Sequence, residues 1–258
     1  MNKFKETALE AALKAGKLLE KNFKSASTFE NKNRYDFVTE SDTQSEKIII
    51  DTIRNKFPNH TIISEESETL ELNSDYKWII DPLDSTTNFL SGIPYFSISL
   101  ALEYKNEIIL GVVHNPITKN TFSAIKNDGS FLNEQKIIAK KEIQLKDSII
   151  VSGYKESVEG IIKGYKYTQE LTIAAKRVII NFSPALDLCN IARGRINGII
   201  DITSSEDHAA AYLILKEAGG IITNLDGSEF NHYSEGVIAS GSNQVHQKLL
   251  NLYNDSQN

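Results

Sequence analysis

The stretch Trp78-Ile79-Ile80-Asp81-Pro82-Leu83-Asp84-Ser85-Thr86-Thr87-Asn88-Phe89 sets two carboxylates three residues apart at the end of an apolar run. The run is rich in β-branched and aromatic residues, so it reads as a buried strand whose end delivers both acids to one place. Pro82 removes a backbone donor and biases Asp81 toward an extended conformation, so the chain turns out of the sheet with Asp81 and Asp84 able to face the same side. A helix could begin at Ser85 and Thr86, leaving backbone N–H groups open to an anion. Hard oxygen ligands beside an anion cradle are the chemistry of a divalent metal and a phosphate. The same residues also suit an ordinary turn with a Ser or Thr N-cap.

Three further acids repeat the pattern of an acid where strand or loop gives way to helix. Glu65 follows the apolar run 61–63, Asp42 follows Asp36-Phe37-Val38-Thr39-Glu40-Ser41, and Asp207 opens the segment 206–215. Taken singly, Asp42 and Asp207 are explained by the positive end of a helix dipole, with Ser204 or Ser205 as N-cap before Asp207. Glu65 and Glu66, near Glu68 and Glu71, are explained by a solvated acidic loop. Only their combination favours a site.

The elements that must position these acids follow from periodicity. Phe4, Ala8, Ala11, Ala12, Ala15, Leu18, Leu19 and Phe23 predict an amphipathic helix over 3–23. A second helix is expected over 41–56, ended by Phe57-Pro58-Asn59. Strands are expected over 97–104, 107–114 and 121–125, joined by short turns and hence an antiparallel meander. Lys140-Lys141-Glu142 is the candidate boundary between an N-terminal half, 1–141, and a C-terminal half, 142–258. The second half reads as strands over 148–153, 178–182, 196–202 and 220–223, with helices near 157–164, 184–193 and 206–218 and a last helix after Gly241. Strands and helices mix in both halves, so the class is a layered α/β or α+β sandwich, with an antiparallel sheet first and a mixed sheet second.

At 258 residues with 40% apolar and 24% charged residues, the chain can bury a large core. A net charge of -6 argues against a nucleic-acid-binding surface. No signal-peptide pattern and no long apolar run is visible, so a cytoplasmic protein without a membrane partner is expected. Cys189, among Leu186, Leu188 and Ile191, reads as a buried thiol. His208, beside Asp207, reads as a helix-surface residue, since a hard divalent cation prefers oxygen.

Asp36 to Asp42, Glu65-Glu66-Ser67, Trp78 to Phe89, Glu206-Asp207-His208-Ala209-Ala210 and Glu217-Ala218-Gly219-Gly220, taken in order, resemble the inositol monophosphatase family. That family belongs to the lithium-sensitive, magnesium-dependent sugar phosphatases. Gly111-Val112-Val113 and Ala192-Arg193-Gly194-Arg195 extend the similarity through nearly the whole chain. The resemblance implies an α-β-α-β-α sandwich and a phosphoric monoester hydrolase acting through metal-activated water. It implies that Glu65, Asp81 and the Leu83 carbonyl would hold one Mg2+, that Asp81, Asp84 and Asp207 would hold a second, and that Glu65 would reach a third, weaker ion. Asp42 paired with Thr86 would orient and deprotonate the water, with Glu65 as the further catalytic residue. Ser85 and Thr86 N–H groups would bind phosphate, and Ser183 and Asp207 would lie on the substrate side. It also implies a homodimer and a small phosphomonoester partner.

Some positions depart from the family's pattern. Ser85 stands where Gly is usual, Ser64 where Gly is common, and Glu206 where Trp is usual. Phe182-Ser183-Pro184-Ala185-Leu186-Asp187 replaces a run with two more small residues, and Ile200 stands seven before Asp207, where inositol-specific members carry a sugar-binding Glu. Asp201 is adjacent but points the other way if this is a strand. An inositol monophosphate-like or other sugar phosphate is therefore the expected substrate. A 3′(2′),5′-bisphosphate nucleotide and fructose 1,6-bisphosphate are alternatives, as is a metal- and phosphate-binding regulatory protein without turnover. Lys32, Lys155 and Arg193 are cations that could meet a second phosphate, and each also reads as a surface charge.

Overall fold

The computed structural model describes residues 1–24, 29–31, 37–67, 69, 72–155, 157–203 and 206–257, without the side chains of 29–31, 37, 206 and 207. In chain order the elements are α1 (Asn2–Asn22), β1 (Phe29–Asn31), β2 (Phe37–Thr39), α2 (Glu40–Arg54), β3 (Thr61–Ser64), β4 (Tyr76–Asp84), α3 (Thr86–Leu90), β5 (Ser97–Tyr104), β6 (Glu107–Asn115), β7 (Asn120–Ile125), β8 (Gly129–Leu132) and β9 (Gln135–Ile137). They continue with β10 (Ile149–Ser152), α4 (Val158–Ala174), β11 (Arg177–Ile179), α5 (Pro184–Ala192), β12 (Gly198–Asp201), α6 (Glu206–Glu217), β13 (Ile221–Thr223), β14 (Val237–Ser240) and α7 (Asn243–Ser256). A seven-stranded sheet runs β3-β4-β5-β6-β7-β8-β9, and a five-stranded sheet runs β11-β10-β12-β14-β13.

Three apolar clusters glue these into five layers. Ala8, Ala12, Leu19, Ile49 and Ile53 of α1 and α2 pack with Trp78, Ile80, Leu100 and Val112 on one face of the first sheet. Ile79, Ala101 and Val113 on its other face join Leu188 of α5, Ala210 and Ile214 of α6, and Ile199 and Ala239 of the second sheet. Ile200 and Ile238 then meet Tyr167 and Leu171 of α4 and Val245 and Leu249 of α7. The order is the expected α-β-α-β-α sandwich, and central strands covered on both faces read as continuous apolar runs. Among the described residues no helix is long and apolar enough to cross a membrane.

The structure differs from the sequence reading in several places. The first sheet is antiparallel except at its edge, where β3 lies parallel to β4. β4 does not end at Asp81: it continues through Pro82 to Asp84, with the register slipping so that Asp81 faces Ser99 and Asp84 faces Ser97. Such an irregularity tolerates a proline, because the local ladder is already broken there. β14, a strand missing from the sequence reading, lies between β12 and β13. α4 runs through Gly164 to Ala174 rather than stopping near it.

Close packing in the middle layer depends on Gly111 of β6. A Cβ there would lie 2.3 Å from the Ala210 carbonyl oxygen of α6, a backbone atom that cannot swing aside. Gly111→Ala is therefore expected to destabilise the protein by about 1–3 kcal/mol in urea unfolding, as overpacking of a rigid contact does. An unchanged unfolding midpoint would show that the helix can shift freely.

Candidate active site

The passage from β4 into α3 places Asp81, Leu83, Asp84, Ser85 and Thr86 in one corner. Asp81 and Asp84 are 2% and 3% exposed, so both carboxyls sit inside the protein. Asp81 Oδ1 accepts the Leu83 N–H at 3.0 Å, across Pro82, where the register of β4 slips. Asp84 Oδ2 accepts the hydroxyls of Ser97 on β5 at 2.8 Å and of Ser183, just ahead of α5, at 2.5 Å. Burial pushes the Asp84 carboxyl up to about 7; the two hydroxyls pull it down, and the Asp187 and Glu65 carboxylates push it further up.

Neighbouring elements bring the other acids. Ser64 pairs with Ile80, and the Glu65 N–H donates to the Ile80 carbonyl at 3.3 Å, so Glu65 leaves β3 beside Asp81. Asp42 is in the first turn of α2 and 1% exposed. Its Oδ2 accepts both the N–H and the hydroxyl of Thr39, at 2.8 and 2.5 Å, closing a capping box. Its Oδ1 accepts the Thr86 hydroxyl at 2.9 Å. Burial raises the Asp42 carboxyl above its ordinary value, against the hydrogen bonds from Thr39 and Thr86. The helix-start explanation and the pairing with Thr86 thus both hold, one on each oxygen.

Ser85 precedes α3 at φ 76°, in the left-handed region, and its hydroxyl is buried with no hydrogen-bond partner. Both features favour glycine. Ser85→Gly is expected to stabilise the protein by about 1 kcal/mol, the relief of strain and of an unsatisfied hydroxyl exceeding the added freedom of the unfolded chain. A thermal midpoint below that of the wild type would contradict this.

Asn88 of α3 clamps the corner by donating to the carbonyls of Tyr95 at 2.8 Å and Asn181 at 2.7 Å. Behind it, buried Asp187 accepts the Tyr95 hydroxyl at 2.6 Å and the Asn181 amide at 2.7 Å. Burial carries Asp187 to about 7 against those hydrogen bonds, with Asp201 adding to the rise. Sequence reasoning passed over Ser97, Tyr95 and Asn88 as partners. Only the register opposite Asp84 could have marked Ser97.

Asp207 lies in the first turn of α6, but its side chain, like that of Glu206, falls outside the described residues, as do Asp36 and Lys32. His208 is 0% exposed, not on the surface as expected, with Nε2 3.4 Å from Asp201 Oδ1. The reason is that α6 lies between the two sheets, with His208 turned toward Asp201 of β12. Asp201 and Ile200 sit on opposite faces of β12, and Ile200 is buried toward α4 and α7. Lys155 pairs with Glu235 at 2.8 Å, and the Arg193 guanidinium lies over the Phe122 ring at 5.4 Å. Cys189 is buried, as read.

Among the described side chains no three acids or histidines are grouped to hold a metal ion. The residues at the corner nevertheless fit a hard divalent cation. Asp81, Asp84, Glu65 and the Leu83 carbonyl offer only oxygen. The charged groups that act most on Asp84 are both negative, so its ionised form lacks a compensating charge.

A family model described as the inositol monophosphatase family matches residues 1–258. The Nus factor SuhB of Haemophilus influenzae is 36% identical, over 96% of this chain and 95% of its own. Inositol monophosphatase 2 of Solanum lycopersicum is 34% identical over the full length of both. The Thermotoga maritima IMPase structure superposes with a TM-score of 0.91 at 31% identity, covering 100% of this chain and 98% of that one. A relative named as a Nus factor lends no support to the expectation that nucleic acid is absent from the partners. By its sequence over its full length and by its fold, this chain belongs to the inositol monophosphatase family.

Proposed function

We propose that this protein is a Mg2+-dependent phosphomonoesterase that hydrolyses a small phosphorylated metabolite, of the inositol monophosphate or sugar phosphate kind, with water as the nucleophile. The observation that carries the reading is the Thr86–Asp42 hydrogen bond of 2.9 Å beside the Asp81–Asp84 corner. Mg2+ held by Glu65, Asp81, the Leu83 carbonyl, Asp84 and Asp207 would supply Lewis acidity and neutralise charge at the attacking and leaving oxygens. Thr86 donates its only proton to Asp42, so its oxygen lone pairs are free to accept an O–H of the attacking water. The proton then has a path through Thr86 to Asp42, whose raised carboxyl is a better base than an exposed one. Backbone N–H groups of Ser85 and Thr86, without partners in the first turn of α3, hold the phosphate. Ser97 and Ser183 fix the direction in which Asp84 points.

The same reading includes a division into halves at 141/142, a cytoplasmic setting and a homodimer, which gel filtration with light scattering checks directly. The name Nus factor SuhB, carried by a relative 36% identical, favours a second reading in which metal and phosphate are bound without turnover, as part of a regulatory assembly. A panel of sugar and nucleotide phosphomonoesters, read as kcat/KM at several Mg2+ concentrations, separates the two. Release of phosphate from at least one supports the enzyme. An intact panel, with phosphate binding seen by calorimetry, supports the regulatory protein.

A further inference from the structure

The segment that delivers Ser183 also displays an aromatic ring at the edge of the site. The Asn181 carbonyl accepts Asn88 of α3 at 2.7 Å, and the Ser183 hydroxyl reaches Asp84 at 2.5 Å. Phe182 is thus held between two contacts to the corner that carries Asp84 and the phosphate cradle. Its φ is 57°, a left-handed conformation uncommon for a bulky residue. Phe182 is 41% exposed, the one exposed phenylalanine among the described residues.

Phe182 does not stand alone. Its ring meets Tyr154 edge to face, centroids 5.9 Å apart at 88°, and Tyr154 lies 6.0 Å from Tyr165, which is 59% exposed. Gly164 of α4 makes room for this set, because a Cβ there would come within 2.6 Å of Tyr154. The nearby acid that could have served a polyol is already engaged. Asp201 accepts the Thr203 N–H at 2.7 Å and the Thr203 hydroxyl at 2.6 Å and faces His208. Among the described side chains of this edge, the rings of Phe182 and Tyr165 are exposed whereas the Asp201 carboxylate is buried.

We infer that Phe182, Tyr154 and Tyr165 form an aromatic shelf selecting phosphomonoesters whose alcohol carries a planar aromatic ring, a nucleoside monophosphate above all. The inference rests on the phosphatase reading and narrows its substrate class. Phosphate at the cradle places the alcohol toward the rim, where a base can stack on Phe182. Stacking of this kind corresponds to roughly a 5- to 150-fold gain per base.

The test compares benzyl phosphate with cyclohexylmethyl phosphate, which match in bulk and differ in aromaticity, and adds adenosine 2′-monophosphate beside ribose 5-phosphate. In the Mg2+-loaded wild type, the aromatic member of each pair is expected to have a kcat/KM about tenfold higher. Phe182→Leu should bring the benzyl to cyclohexylmethyl ratio toward one. Phe182→Gly, which suits the positive φ and so should fold readily, should do the same. A wild-type ratio near one, with phosphate still released from the aliphatic esters, overturns the shelf and leaves the phosphatase standing. A ratio unmoved in both variants also overturns it, as does a change of oligomeric state in Phe182→Leu without a change in ratio. If no ester is cleaved the phosphatase reading falls. Calorimetry then decides the shelf: adenosine 2′-monophosphate binding at least fivefold tighter than ribose 5-phosphate, and weakened in Phe182→Leu, upholds it, and equal or absent binding overturns it.

Discussion

Asp84→Asn is expected to lower kcat by at least about a thousandfold while making the metal-free protein more stable at pH 8. On the proposed mechanism, the activity loss follows because the substitution would remove a charged metal ligand where charge develops in the transition state. The gain in stability follows from the burial of Asp84 with Asp187 and Glu65 as negative neighbours, which carries its carboxyl to about 7 from an ordinary 3.8. The folded state binds this proton more tightly than the unfolded chain. Its stabilising contribution is therefore complete below pH 4 and is lost as pH rises toward 7, with a ceiling of about 4 kcal/mol at about 1.4 kcal/mol per pKa unit. Asparagine keeps the shape without the charge, and the Ser97 and Ser183 hydroxyls can accept from its amide as well as donate. Unfolding curves at pH 5 and pH 8, with and without Mg2+, check both halves of the expectation. Wild type should lose stability between these values without Mg2+ and recover it with the metal. A variant equal to wild type at pH 8 without metal would show that Asp84 is not held in the way described.

The second large effect concerns the Thr86–Asp42 pair. Thr86→Val removes the hydroxyl with little change in shape and is expected to lower kcat by about 10²–10⁴ with a small change in KM, as loss of general-base assistance does. Asp42→Asn should cause a similar loss, and the double variant should be little worse than either alone, because both act on one proton path. Stability should separate them. Asp42→Asn disturbs the bonds from Thr39 as well and should cost about 1–2 kcal/mol through the α2 cap, whereas Thr86→Val leaves that cap in place. Additive losses in log kcat would mean that the two residues act independently.

The candidate acids were legible because each sits within a local pattern: an apolar run ending in Asp81-Pro82-Leu83-Asp84, or a helix start at Asp42. What surrounds them was not, because it depends on pairing across the fold. Ser97 becomes a partner of Asp84 only when β5 lies antiparallel to β4 with the slip at Pro82. Tyr95 and Asp187 meet from positions 92 apart in the chain. His208 looked like a surface residue because a single helix face carries no sign that a second sheet will cover it. The length of α4 was underread because Gly164, which ends many helices, serves here to admit the Tyr154 ring. The inner faces of β4, β5 and β6, by contrast, follow from apolar spacing alone, whereas the five-layer order came only with the family resemblance.

The two oxygens of Asp42 have a consequence for how relatives of this chain are sorted. One oxygen holds the start of α2 and the other holds Thr86. If the phosphatase reading holds, a relative without hydrolysis would still keep an aspartate at that position, because the start of α2 uses it as a cap. Its presence is therefore no badge of an active enzyme, whereas drift at Thr86, whose hydroxyl has little architectural duty, is the earlier marker of a lineage that has stopped turning over substrate.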